Sequence, residues 1–396
     1  MNESFKSKAD KLKIILFVGA VAIFFVIGLL FFLRPEKSEN EKRELTKFPD
    51  FTIESFLSGE WTNQVSLWFA DTYPMREGMI SANYFTQSLY GIRNETVTDK
   101  GYVKDNAAYQ YYTFDKGQSD RYVSLINGFA QKIGNKARVY DMVVPLHYQI
   151  SPIKDDLMSK NPNASDGKES IDYMYSGLAG NVKKVDAFSE ILAHNSEYLY
   201  YRTDHHWTAR GAYYAYVAFC KQKGISPTKL SEYESCRFEG FLGTLYAENG
   251  QPLNLKNDPD YVEAFIPMGT NDISVTDKSG NVTVYSIVNK KTDSWYPAAG
   301  AKYNCFIAGD NPISEIHNPN IKNNSSIVIV KESYGNAFVP FLVDSYEHVY
   351  VIDYRYWKGS LSDFVVSNGI DDVLFLNVIN VTSTSIRLDE LTKILN

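Results

Sequence analysis

The side chains able to do chemistry gather in two stretches. In the first, Asp204, His205 and His206 follow one another and lead into Trp207. In the second, Ser333 lies within Lys331-Glu332-Ser333-Tyr334-Gly335-Asn336, just after the apolar run 327–330. A serine hydroxyl is a weak nucleophile until a base takes its proton, and an imidazole with an ordinary pKa of ~6.5 does so near neutrality. A carboxylate beside that imidazole fixes its tautomer and stabilises the cation that forms. In an extended turn, side chains two positions apart point the same way. Asp204 is therefore expected to pair with His206, with His205 directed elsewhere. These types suit acyl transfer or ester hydrolysis through a serine ester. The bland reading is a hydrogen-bonded Asp–His pair and a serine that each cap a helix. A metal reading needs a third ligand from His147, His194, His317, His348 or a scattered carboxylate, none at ligand spacing, so no metal site is expected.

Both stretches sit where elements begin. Thr208 is placed to cap a helical run over 209–223, and Gly224 to end it. Ser333 falls between a strand candidate at 325–331 and a helical run at 337–345. That strand–serine–helix placement is how α/β enzymes present a nucleophile, and a helix N-terminus offers amides to an oxyanion. The Tyr334 backbone amide is the expected donor. The runs 327–330, 348–352 and 373–376 are short and β-branched, as buried parallel strands are. With helical segments between them, they predict an α/β fold: a parallel sheet flanked by helices. Upstream, 48–90 has helical patterning broken by a turn at 71–76. Residues 96–104 read as a hairpin around Asp99-Lys100-Gly101, 120–133 as an amphipathic helix and 137–145 as a strand. Residues 151–166 read as a polar surface loop, and 173–193 as helical patches around Val185-Asp186. The block 225–325, rich in Asn, Asp, Gly and Thr, reads as a β-rich insertion.

The N-terminus has its own signal. Residues 14–33 run without a charge, long enough to cross a bilayer core of ~30 Å, and four lysines precede them. This predicts residues 1–13 as a cytoplasmic tail and 14–33 as an uncleaved transmembrane signal-anchor. Residues 34–100 would be a linker (38–47) and helical region, and 101–396 the catalytic-type domain with its β-rich insertion. The bulk of the chain would lie outside the membrane, held by a single pass. A net charge of -7 gives no basic footprint for nucleic acid. Three cysteines make no disulfide framework, although one bridge, Cys220–Cys236, is conceivable.

Asp204-His205-His206-Trp207 resembles the signature for which the bacterial DHHW family is named. Gly309-Asp310-Asn311-Pro312, the stretch from Lys331 to Phe338, and Val351-Ile352-Asp353-Tyr354-Arg355-Tyr356 resemble that family too. More distantly, the chain is similar to the SGNH-like alginate O-acetylation proteins, which carry Asp-x-His-Trp first and a serine after a later strand. The resemblance implies an SGNH-hydrolase-like sheet, with Asp204, His206 and Ser333 at the triad positions and His205 at a variable place. It implies no cofactor, and action outside the membrane on a cell-surface polysaccharide. The acyl donor would come from a membrane-bound O-acyltransferase. Lys331-Glu332 departs from the Gly-Asp that precedes the serine in ordinary SGNH hydrolases. Further oxyanion or substrate candidates are Gly243, His147, Asn336 and Arg355. Trp207 reads as core, Arg210 as a solvated first-turn residue, and Tyr109, Tyr111 and Tyr112 as either a sugar platform or hairpin packing. The function expected is O-acetyl transfer to a polysaccharide, with a carbohydrate esterase or a non-catalytic glycan-binding scaffold as alternatives.

Overall fold

The computed structural model describes residues 3–30, 33–38, 43–90, 95–98 and 101–395. They form two compact units. The first spans residues 1–92 with 250–252. It opens on helix α1 (Glu3–Gly28), whose window Lys11–Gly28 has a mean hydropathy of 2.3, enough by length and composition to cross a membrane. Helix α1 ends at Gly28, before the expected end of the span at residue 33, and residues 31 and 32 of the span lie outside the described residues. Helices Ile53–Leu57, Glu60–Asp71 and Arg76–Leu89 follow, broken where the turn at 71–76 is expected. Residues 39–42 of the linker and 99–100 of the hairpin also lie outside the described residues.

The second unit, residues 93–249 with 253–396, carries the site. Its core is an eight-stranded sheet. In chain order the strands are β1 (Arg138–Val144), β2 (Val182–Lys184), β3 (Asp272–Thr276), β4 (Val282–Ser286), β5 (Ile313–His317), β6 (Ser326–Lys331), β7 (His348–Asp353) and β8 (Asp372–Val378). Their order across the sheet is β4-β3-β5-β7-β6-β8-β1-β2. From β7 to β2 every pairing is parallel. The three runs read as parallel strands are β6, β7 and β8, and β6 and β8 are buried at every position, as strands covered on both faces must be. The sheet is not parallel throughout: β3, β4 and β5 extend it antiparallel beyond β7. They come from the block 225–325, which therefore builds part of the main sheet. The same block also holds an antiparallel hairpin, Glu234–Phe241 with Asp260–Ile266.

Helix α2 (Lys116–Ile133) buries one face, including Tyr122, Ile126, Phe129 and Ile133. Helix α3 (Ala209–Lys223) starts at Thr208, whose hydroxyl accepts from the Gly211 amide, and ends at Gly224 with φ 81. Helix α4 (Gly335–Leu342) is buried at every position. The polar stretch 151–166 is not a bare loop, because it contains the helix Lys154–Lys160. Its lysine-rich composition hid a helix that buries only Leu157. The three cysteines are free, so the Cys220–Cys236 bridge is not formed.

Candidate active site

Ser333 stands in the turn between β6 and α4, at the C-terminal end of the most buried strands. Gly335 makes the turn possible: a Cβ there would meet Lys331 Cβ at 2.6 Å. The Asp204–Trp207 turn is closed by an antiparallel bridge between Tyr200 and Trp207 and then enters α3. The two turns are fastened together. Trp207 Nε1 donates to the Tyr334 carbonyl at 2.9 Å, and the Tyr334 hydroxyl donates to the His205 carbonyl. Trp207 is fully buried and packs on Tyr334 and Phe338, as core.

Across this junction His206 joins the other two groups. Its Nδ1 lies 2.6 Å from Asp204 Oδ1 and its Nε2 lies 2.8 Å from Ser333 Oγ. An ionised carboxylate only accepts, so Nδ1 carries the proton and Nε2 is free to accept from the serine. Asp204 Oδ1 also accepts from the His206 amide at 3.0 Å. Its Oδ2 accepts from the Thr244 amide at 2.8 Å and from the Thr244 hydroxyl at 2.9 Å. Burial alone would raise the Asp204 carboxyl; the two imidazoles and the Thr244 amide outweigh it and hold it well below the usual range. Tyr303 stacks on the His206 ring at 4.1 Å and 14°.

His205 does not turn away as expected. Its ring lies against His206 at 3.9 Å, tilted by 36°, and its Nδ1 lies 2.7 Å from Thr244 Oγ1. Since the Thr244 hydroxyl proton goes to Asp204, that oxygen accepts from His205. Burial, with His206 adding to it, pushes the His205 imidazole down to about 4.

The other candidates are placed differently from expectation. The Tyr334 amide donates to Glu332 Oε2 at 3.0 Å, so it is engaged by a neighbouring carboxylate and not left open for an oxyanion. The same Glu332 oxygen lies 3.3 Å from Ser333 Oγ, whose single proton is directed to His206, and Oε1 accepts from the Val378 amide at 3.0 Å. The Gly243 amide donates to Thr203 Oγ1, and a Cβ on Gly243 would lie 2.2 Å from Asp204 Oδ2. Gly243 is thus a close-approach residue that lets Asp204 seat, not an oxyanion donor. His147 stacks on Tyr200 and lies tilted against Tyr109, its Nδ1 is buried with no partner among the described residues, and burial pushes it down to about 4. Asn336 and Arg355 belong to a charged cluster beside the serine turn. Lys331 Nζ reaches Asn336 Oδ1 at 2.7 Å and Asp353 Oδ2 at 3.1 Å. Arg355 forks onto Asp353 and also meets Asp310 Oδ2 at 2.9 Å. Asn336 Nδ2 donates to Asp310 Oδ1.

Sequence reasoning missed Thr244, Glu332 as an acceptor, and Tyr303. Lys331 and Asp353 did leave a signal, since each is a charge ending an apolar strand. Arg210 forms a fork with Glu263, and Tyr109 and Tyr112 are buried packing residues. Asp204, His205 and His206 also have the donor types of a metal site. However, both Asp204 oxygens and His206 Nδ1 are committed to hydrogen bonds.

The family model described as "DHHW protein" matches residues 41–101 and 95–352. The chain belongs to the DHHW family. A crystal structure of a DHHW family protein from Eubacterium siraeum DSM 15702 is 30% identical, with a TM-score of 0.67, covering 76% of this chain and 98% of that one. Bacillus cereus PatB1, in a structure with a sulfonyl adduct, is 18% identical with a TM-score of 0.58, covering 76% of this chain and 100% of that one. Without the adduct it is 20% identical, with a TM-score of 0.57 over 74% of this chain and 98% of its own. The DHHW architecture is therefore shared with PatB1. No curated protein matches the sequence.

Proposed function

We propose that this DHHW protein is an SGNH-like serine O-acyltransferase that acetylates a cell-surface polysaccharide outside the membrane, anchored by α1. The observation that carries the reading is His206 bridging Asp204 at 2.6 Å and Ser333 at 2.8 Å. Ser333 Oγ attacks the acyl carbon of a donor ester and gives its proton to His206 Nε2. Asp204 holds the imidazole and stabilises its cation. The donor's leaving oxygen takes that proton, leaving Ser333 acylated. A sugar hydroxyl then attacks the acyl carbon, its proton passes to His206, and Ser333 Oγ recovers it as the acyl group departs. The developing oxyanion needs donors, and the Tyr334 amide serves once the incoming oxygen displaces Glu332 from it. Supply of acyl groups by a membrane-bound O-acyltransferase fits this placement.

The partial exposure of Ser333 favours a second reading of the same chemistry, in which water replaces the sugar and the protein is an esterase. A chromogenic acetyl ester tests both. Ser333→Ala should abolish turnover and leave the fold intact. Added oligosaccharide should divert acetyl from water only if transfer is the function. The PatB1 sulfonyl adduct suggests a parallel test. A sulfonyl fluoride should label the wild type at Ser333 and leave Ser333→Ala and His206→Ala unmodified. Turnover that survives Ser333→Ala would remove the triad, and no turnover in any form would leave a glycan-binding scaffold.

A further inference from the structure

At the opposite end of the sheet from Ser333, two histidines and a glutamate converge. His317 is the last residue of β5 and His348 the first of β7, and they are direct partners in the antiparallel register. Their rings are 5.0 Å apart at 34°. Glu347 Oε1 lies 3.8 Å from His317 Nε2 and 3.9 Å from His348 Nε2. These separations are too long for hydrogen bonds, so three ligand-type atoms face one another without bonding. The other carboxylate oxygen, Oε2, is fixed by the Asn323 and Asn324 amides at 2.9 and 2.6 Å. One oxygen is thus anchored and the other aimed between two imidazoles, the outer-shell arrangement by which proteins orient a metal ligand. Bonds of ~2.0–2.2 Å to a tetrahedral ion put ligand atoms roughly 3.4 Å apart. Closing from 3.8 and 3.9 Å asks for a shift of about half an ångström.

We propose that His317, His348 and Glu347 form a Zn²⁺ site, with water in the fourth position. The ion clips the ends of β5 and β7 to the loop carrying Asn323 and Asn324. It lies about five residue steps along β7 from the strand end beside Ser333, ~17 Å at strand rise, so its role is structural. His348 Nδ1 is buried with no partner among the described residues, and binding through Nε2 leaves a proton there.

The test is Zn²⁺ titration of the full-length chain in detergent, without a histidine tag, against a chromophoric chelator. Wild type should bind one ion per chain, and its thermal midpoint should rise with Zn²⁺. His317→Ala, at an exposed side chain, should weaken binding at least tenfold and lose that rise, with an unchanged midpoint in chelator. Glu347→Gln should do the same, and Co²⁺ should give tetrahedral absorption bands only in wild type. Binding that is unaffected by His317→Ala, or is removed by His205→Ala instead, overturns the proposal, as does no binding in wild type. Ester turnover should be the same in His317→Ala and wild type, so this result is independent of the proposed acyl chemistry.

Discussion

Asp204 is the residue on which the site's charge is balanced. Four hydrogen bonds from His206 and Thr244 keep its carboxylate ionised, so it remains an anion for His206 far into acid. Asp204→Asn keeps the shape but lets the imidazole adopt the wrong tautomer. Ester turnover should fall by roughly 10³–10⁴ with little change in KM, as measured by steady-state kinetics. Glu332 is the residue that sequence reasoning placed least well. It holds both the Tyr334 and Val378 amides. Glu332→Ala leaves those amides without their acceptor and should cost about 1–3 kcal/mol of stability in denaturant melts. Serine-dependent turnover should survive it, since the Tyr334 amide is then unblocked.

At the level of elements, each turn depends on the close approach of another segment. Gly243 begins the short helix Thr244–Glu248, and its missing side chain is the space that Asp204 occupies. Gly243→Ala should displace the carboxylate and reduce turnover as severely as Asp204→Asn, with a lower melting temperature. Strand β1 carries a buried charge of another kind. Asp141 accepts from the Tyr122 hydroxyl at 2.5 Å, its other oxygen has no partner among the described residues, and burial pushes it up to about 7. The folded state therefore binds a proton between pH ~4 and 7 that the unfolded chain has released. Stability from this group is present at low pH and lost as pH rises through about 7. The cost at pH 8 is about 4 kcal/mol for a shift of roughly three pKa units. Asp141→Asn should stabilise the protein at pH 8 much more than at pH 5, read as the difference in melting temperature. Asp204 and Asp310 work the other way: both are held below their unfolded values, and their contribution is lost as pH falls below ~4.

At the scale of the whole molecule, α1 and the second unit are joined in one chain whose catalytic-type residues all lie in the second unit. If α1 is an uncleaved anchor with its bulk outside, a C-terminal alkaline phosphatase fusion should be active and a cytosol-dependent reporter silent. The reverse pattern would overturn the topology and, with it, access to a surface polymer. The DHHW match spans most of the chain beyond α1, so the family is defined by the unit carrying the site together with the residues leading into it.

Some of this was already set by local sequence. The short apolar runs at β6, β7 and β8 suit buried strands, and Thr208 and Gly224 delimit α3 by capping chemistry that acts within a few residues. Asp204 and His206 pair through a two-residue spacing, which is also local. What lies across the fold was decided by tertiary structure alone. Ser333 meets His206 over 127 positions because Trp207 and Tyr334 lock the two turns together. Thr244 reaches Asp204 from 40 positions away, and Glu332 takes the Val378 amide from 46 positions away. Spacing along a chain carries information only about neighbours within a turn or a strand. Which donor meets which carboxylate depends on how the β-rich block folds back over the sheet.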